Sequence, residues 1–208
     1  LSKLQAVQEQ IRQLGLSPAA IVQFDLLTAK PADYQKLGAE LASAYPYLDG
    51  VLNNAGLLGT INPLAEQDYQ EFCDVMQVNV NASLLLSQAL LPLLLKAPSA
   101  SLIFTSSSVG KIGRAGWGSY AISKFATEGM MQVLADEYKN TNLRVNCINP
   151  GGTRTGMRAS AFPDEDPQKL KTPADIMPLY LYLMGDDSRR KTGMSFDAQP
   201  GRKAGPAE

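Results

Sequence analysis

The sequence contains no histidine. That absence removes Ser-His-Asp and Cys-His catalysis, imidazole acid–base chemistry and imidazole metal ligands. Only two cysteines occur, Cys73 and Cys147, and they form no CxxC pair. Neither a thiolate metal site nor a dithiol redox motif therefore has its ligands. Two isolated cysteines read as small buried residues in a reducing compartment, so a cytoplasmic location is expected. Charge of either sign is not in excess: 19 Lys and Arg face 20 Asp and Glu, for a net charge of −1. A broad basic face for nucleic acid is excluded on that count. Long apolar runs are missing too. The most apolar stretch, Leu84 to Leu95, is broken by Ser87, Gln88 and Pro92 and reads as a core helix, with no membrane partner expected. The N-terminus has no basic-then-apolar layout of a secretion signal and no initiator Met.

What is present is globular composition: 208 residues, 45% apolar and 19% charged. A single domain with a sizeable core is expected over 1–208. Leu4, Val7, Ile11 and Leu14 recur at helical spacing and Gly15 stops them. Ala20 to Phe24, ending at Asp25, reads as a buried strand. Pro31 opens a second helix that ends before Pro46. Val51 to Asn53 is a strand, Asp68 to about Lys96 a long helix, and Ser101 to Thr105 a strand. Gly118 to Tyr138 is a helix, Arg144 to Ile148 a strand. Thr172-Pro173-Ala174-Asp175 is a capping box that starts a helix running to Met184. Met194 to Asp197 is a last strand. Short apolar strands alternating with helices predict an α/β fold, a parallel sheet covered on both faces. Gly151 to Lys171 is the one long irregular stretch, the kind that is functional or disordered.

Four segments carry polar groups suited to chemistry. Tyr120 and Lys124 lie four residues apart, one turn along one helix face. A neighbouring ammonium favours the phenolate, which predicts a phenol lowered from its ordinary value and able to exchange a proton near neutral pH. Taken alone, such a pair is more often a surface contact than a catalytic one. Thr105-Ser106-Ser107-Ser108 follows a strand, where open parallel sheets place their ligand crevice, though a serine-rich turn also fits. Asn53-Asn54-Ala55-Gly56 and Asn149-Pro150-Gly151-Gly152-Thr153-Arg154-Thr155 end two further strands. Either is a place for backbone to approach a flat ligand, or an ordinary turn. Asn79 sits inside the long helix, where Asn is a poor former.

Together these pieces resemble the short-chain dehydrogenase/reductase family, single-domain branch. Asn53-Asn54-Ala55-Gly56, Asn79 between Val78 and Val80, Ser107, Tyr120-xxx-Lys124 and Pro150-Gly151 match its motifs, with Ser107 lying 13 residues before Tyr120. The stretches 106–110, 147–155 and 196–201 are similar to the YciK-type oxidoreductases of enteric bacteria. The resemblance implies a Rossmann-like sheet and hydride transfer between a nicotinamide dinucleotide (NAD or NADP) and a small-molecule carbonyl or alcohol. It makes Tyr120 the general acid/base, with Lys124 lowering its pKa and holding the nicotinamide ribose. Ser107 stabilises the substrate oxygen. Asn79 perturbs its helix and positions a water of the proton relay. Asn53, Ala55 and Gly56 line the cofactor, Asp25 and Leu26 meet its adenine, and Pro150, Gly151, Thr153 and Thr155 its nicotinamide end. No metal is implied. A homodimer or homotetramer built on the two long helices is expected. So is closure of the 156–170 loop over the substrate.

One family element has no match. No G-x-x-x-G-x-G occurs, and Leu1 to Leu14 align with the helix after the family's second strand. The first βαβ unit, whose glycines and helix N-terminus bind pyrophosphate, is thus expected to be missing from these residues. The chain reads as part of a longer one, as a shortened reading frame, or as a rearranged fold. Residues 1–208 alone are expected to bind dinucleotide weakly and to be inactive. The alternative function is a non-catalytic, dinucleotide-responsive binding protein; a sugar-nucleotide epimerase is third.

Overall fold

A computed structural model describes residues 1–202 and 205. Four strands form one parallel sheet in the order β1-β2-β3-β4. They are β1 (Gly50–Asn53), β2 (Ala100–Thr105), β3 (Leu143–Asn149) and β4 (Met194–Asp197). Val51 aligns with Leu102 and Leu102 with Val145, so the most apolar positions of successive strands share one row. Side chains alternate across the sheet. Leu102, Phe104, Val145 and Cys147 point to one face; Ile103 and Ile148 point to the other.

The helices supply what covers each face. On the first lie α2 (Pro31–Ala44), α4 (Ala82–Leu94) and α5 (Gly118–Glu137), with Leu41, Leu90, Leu94, Met131 and Ala135 in the core. On the second lies α7 (Pro173–Met184), through Ile176, Tyr180 and Leu183. Its predicted capping box is formed: Thr172 N donates to Asp175 Oδ2 at 2.7 Å and Thr172 Oγ1 accepts from Asp175 N. Close passage of α2 past α4 depends on Gly38, where a Cβ would stand 2.7 Å from the Ala89 carbonyl oxygen.

The helix expected over Asp68–Lys96 is present but not uniform. It comprises α3 (Tyr69–Met76), a π turn at Gln77–Asn81, and α4. Asp68 caps its start by accepting from Glu71 N at 2.8 Å. The π turn falls on Asn79, as that residue's poor fit to a regular helix implies.

Two expectations are corrected. Ala20–Phe24 is extended but belongs to no strand. A strand is defined by its ladder, and no neighbouring strand among the described residues pairs with this segment. It is held by Gln8 Nε2 donating to Ala19 O at 2.6 Å and by Phe24 packing edge-on against Tyr34 at 4.8 Å. The helix before it, α1 (Ser2–Gln13), forms as its periodicity predicts but buries none of its residues. The 151–171 stretch, in turn, is not irregular throughout. It contains α6 (Gly156–Ala161), started by Thr155 accepting from Arg158 N, and a 3-10 turn at Pro167–Lys169 capped by Asp166.

Candidate active site

Parallel pairing puts the C-terminal ends of all four strands at one edge, and a cavity of about 650 Å³ opens there. The loops leaving β1, β2 and β3 each form a wall. Gly56, Ser107, Tyr120, Lys124, Pro150, Gly151, Thr153 and Thr155 all line it. Eight residues drawn from four separate motifs thus meet in one concavity.

Tyr120 and Lys124 project from the first two turns of α5. The helix start is held by Gln67, whose Oε1 accepts from Ser119 N at 2.9 Å. Lys124 Nζ lies 5.4 Å from the Tyr120 ring centroid and donates to the Thr105 carbonyl at 2.8 Å. Ser107 lies two residues past β2, where its hydroxyl accepts from Val109 N at 3.4 Å and is close enough to the Tyr120 phenol to lower its pKa. The loop reaches α5 closely because residue 110 is glycine: a Cβ there would sit 2.9 Å from Lys124 Cβ and O. Gly56 serves likewise on the opposite wall, where a Cβ would stand 3.2 Å from Asn79 Oδ1 and 3.7 Å from Lys124 Nζ.

Burial decides the protonation of this pair. Desolvation pushes the Tyr120 phenol up to about 12, against a smaller lowering by its Ser107 hydrogen bond. The same cause pushes the Lys124 ammonium down to about 8. The phenol lowered by a neighbouring charge, expected from the spacing, is therefore not found. Both groups are nearly dry, and dryness favours the neutral form of each.

Asn79 lies under the floor of the cavity. Its Oδ1 accepts from Leu57 N at 2.7 Å, and its Nδ2 donates to Leu57 O and Ser123 Oγ, each at 2.9 Å. The amide ties the loop after β1 to α5. Among the other predicted residues, Asn53 turns away, with Nδ2 donating to Ser87 Oγ at 3.3 Å, and Ala55 does not line the cavity. Asn54 lines it instead, accepting from Thr105 Oγ1 at 2.9 Å. Asp25 and Leu26 also lie outside it. The Asp25 carboxylate accepts from Leu27 N and Thr28 Oγ1, and Leu26 O accepts from Gln77 Nε2.

Several residues of the site escaped the sequence. Gln199 Nε2 donates to Pro150 O at 2.9 Å and Gly152 O at 3.0 Å, clasping the third wall from beyond β4. Arg158 makes two bonds to the Glu165 carboxylate, at 2.6 and 2.7 Å, and stacks on Phe162 at 3.9 Å. Trp117 stands between Tyr120 and Phe162, 5.9 Å from each ring. The 156–170 loop, which lines the cavity through Met157, Arg158 and Ala161, is thereby fastened to itself by a pair whose side chains are 14% and 1% exposed.

The chain is similar to known proteins in sequence and in fold. The family described as short chain dehydrogenase matches residues 1–166. The uncharacterised oxidoreductase YciK of Escherichia coli K12 is 68% identical over 204 residues, covering 98% of this chain and 80% of that protein. A solved chain from Shigella flexneri 2a strain 301, complexed with NADP, is 66% identical with a TM-score of 0.92, over 96% of this chain and 83% of its own. Another from E. coli CFT073, complexed with NADPH, is 68% identical with a TM-score of 0.92, over 96% and 82%. No helix among the described residues is long and apolar enough to cross a membrane.

Proposed function

The chain belongs to the short chain dehydrogenase family, and on that premise we propose that, joined to a pyrophosphate-binding unit, it transfers a hydride between NADP and a small carbonyl or alcohol compound, with Tyr120 moving the proton, while residues 1–208 by themselves bind dinucleotide weakly. The observation that carries this reading is the convergence of Ser107, Tyr120 and Lys124 in one cavity. The choice of NADP follows relatives at 66% and 68% identity that were solved with NADP and NADPH.

The residues present fit such a cofactor at its nicotinamide end. Gly56 leaves room that a Cβ would fill, and Gly151 adopts φ +70, a backbone state that lets the loop turn beside a flat ring. Gly56, Lys124, Pro150, Gly151, Thr153 and Thr155 would hold that end, which supplies or accepts the hydride when bound. For the adenine end, Asp25 and Leu26 rest on the family resemblance alone. Tyr120, protonated at neutral pH, donates to a carbonyl oxygen as charge develops there. Ser107 hydrogen-bonds the same oxygen. Lys124, held by the Thr105 carbonyl, places positive charge beside the Tyr120 ring and offsets charge left on it. Trp117, Phe162 and the loop behind them keep water away from the reacting atoms.

Two accompanying features belong to the same reading. Leu84 on α4 and Ile122, Phe125 and Val133 on α5 are exposed apolar residues. We assign them to a homodimer or homotetramer contact, which a light-scattering mass of one chain would contradict. Free Cys73 and Cys147 fit a reducing, cytoplasmic setting.

The test is NADPH consumption with a panel of aldehydes and ketones. Oxidation of the cofactor with stoichiometric alcohol formation is expected. Tight NADPH binding with no carbonyl reduced would favour the non-catalytic binding protein instead.

A further inference from the structure

The cavity is far more basic than the molecule around it. The whole chain has a net charge of −1, yet the cavity is lined by five cations, Lys111, Arg114, Lys124, Arg158 and Arg202, and by one carboxylate, Asp197. Most of these cations have an assignment. Lys111 Nζ stands 3.5 Å from Asp197 Oδ1. Arg158 is bound to Glu165, and Arg202 Nη2 lies 3.7 Å from that same carboxylate. Lys124 serves Tyr120.

Arg114 differs from all four. Among the described residues its guanidinium makes one hydrogen bond, a long one of 3.4 Å to Ser108 Oγ, and it enters no ion pair. Its backbone is fixed, because its carbonyl accepts from Trp117 N at 3.2 Å. It sits on the β2–α5 loop that carries Ser107 and lines the same cavity as Ser107 and Tyr120. A half-buried guanidinium with unused donors, aimed into a cavity, matches the planar fork of a carboxylate or phosphate.

We propose that the substrate is an anion, a carbonyl or alcohol compound whose carboxylate or phosphate group is held by Arg114. This deepens the reading of the same site as an oxidoreductase and rests on it. Surplus positive charge in the cavity concentrates such a substrate, and Arg114 orients it with its carbonyl toward Ser107 and Tyr120.

The test uses the full-length protein with NADPH and matched compounds: a keto acid against its methyl ester, and a phosphorylated aldehyde against its unphosphorylated parent. The acid or the phosphate ester should be preferred by about 10- to 100-fold in kcat/KM, the worth of a charge-assisted hydrogen bond. The two pairs tell carboxylate from phosphate. In Arg114→Met that ratio should fall toward one, and in Arg114→Lys it should survive in part, with NADPH affinity unmoved. Equal use of neutral and anionic partners, or a ratio intact in Arg114→Met, would overturn the proposal. Binding is read separately by quenching of Trp117, the single tryptophan, using an aliphatic carboxylate, inorganic phosphate and the neutral amide. Saturable quenching by an anion that is lost in Arg114→Met supports the anion site even if no carbonyl is reduced, and the failure then belongs to the catalytic reading. No preference for either anion over the amide, in wild-type protein, counts against Arg114 directly.

Discussion

Helices α1 and α5 both form where the sequence predicts helix, and they meet different fates. From α5, Met131 and Ala135 sink into the core against β2 and β3, and Tyr120 is buried beside Val109. From α1, nothing is buried, and Leu4 and Val7 are 44% and 54% exposed. The segment after each helix repeats the contrast. Residues 143–149 pair on both sides, with β2 and β4, whereas residues 20–24 have no ladder. Periodicity tells a chain to form a helix. Whether the helix contributes to a core depends on a sheet face lying beneath it. Every residue lining the cavity lies between Leu52 and Gly205, on the side of the chain where that face exists.

The contrast can be broken first by cutting the core. Phe104, 1% exposed on β2, should cost about 3–5 kcal/mol when replaced by alanine, read by denaturant unfolding. A much smaller cost would mean the 50–202 core is looser than its burial implies.

A second prediction uses pH. Burial moves Lys124 from its ordinary 10.5 down to about 8. Between those values the unfolded chain holds a proton that the folded one lacks, so the Lys124 contribution to stability rises from pH about 8 to about 10.5, opposed above 9.0 by the Cys147 thiol that burial raises. Tyr120 acts oppositely, since its folded value is raised from 10.0 to about 12 and stability falls across that window. Lys124→Met should remove the rise and leave the fall. An unchanged slope between pH about 8 and about 10 would show that Lys124 is hydrated.

Smaller effects sharpen the picture. Glu165→Gln leaves Arg158 without its buried countercharge, so amide exchange over 156–170 should speed up while β2 and β3 stay protected. Smallest of all, Leu4→Ala should shift stability by no more than about 0.5 kcal/mol, because it uncovers nothing. A cost near that of Phe104→Ala would show that α1 packs against something in solution.

Legibility followed the same division. The strands at 50–53, 100–105, 143–149 and 194–197 were readable because short apolar runs ended at Asn, Ser and Gly signals. The box at Thr172–Asp175 marked α7, and the misfit of Asn79 marked the π turn. Ala20–Phe24 carried an equal apolar signal, but pairing is a property of neighbours. Arg158 and Glu165 meet across a loop, and Gln199 reaches back nearly fifty residues, distances at which spacing says nothing. The Tyr120 phenol was misjudged in direction because sequence counts the charge four residues away and cannot count the water removed.

The central claim is that Tyr120 supplies the proton in the cavity it shares with Ser107 and Lys124. Steady-state reduction of a verified carbonyl by Tyr120→Phe, beside a titration of its NADPH affinity, tests it most directly. The account predicts a kcat/KM lower by about 10²–10⁴-fold with cofactor affinity within about twofold of wild type. A variant that reduces the carbonyl at the wild-type rate would contradict it.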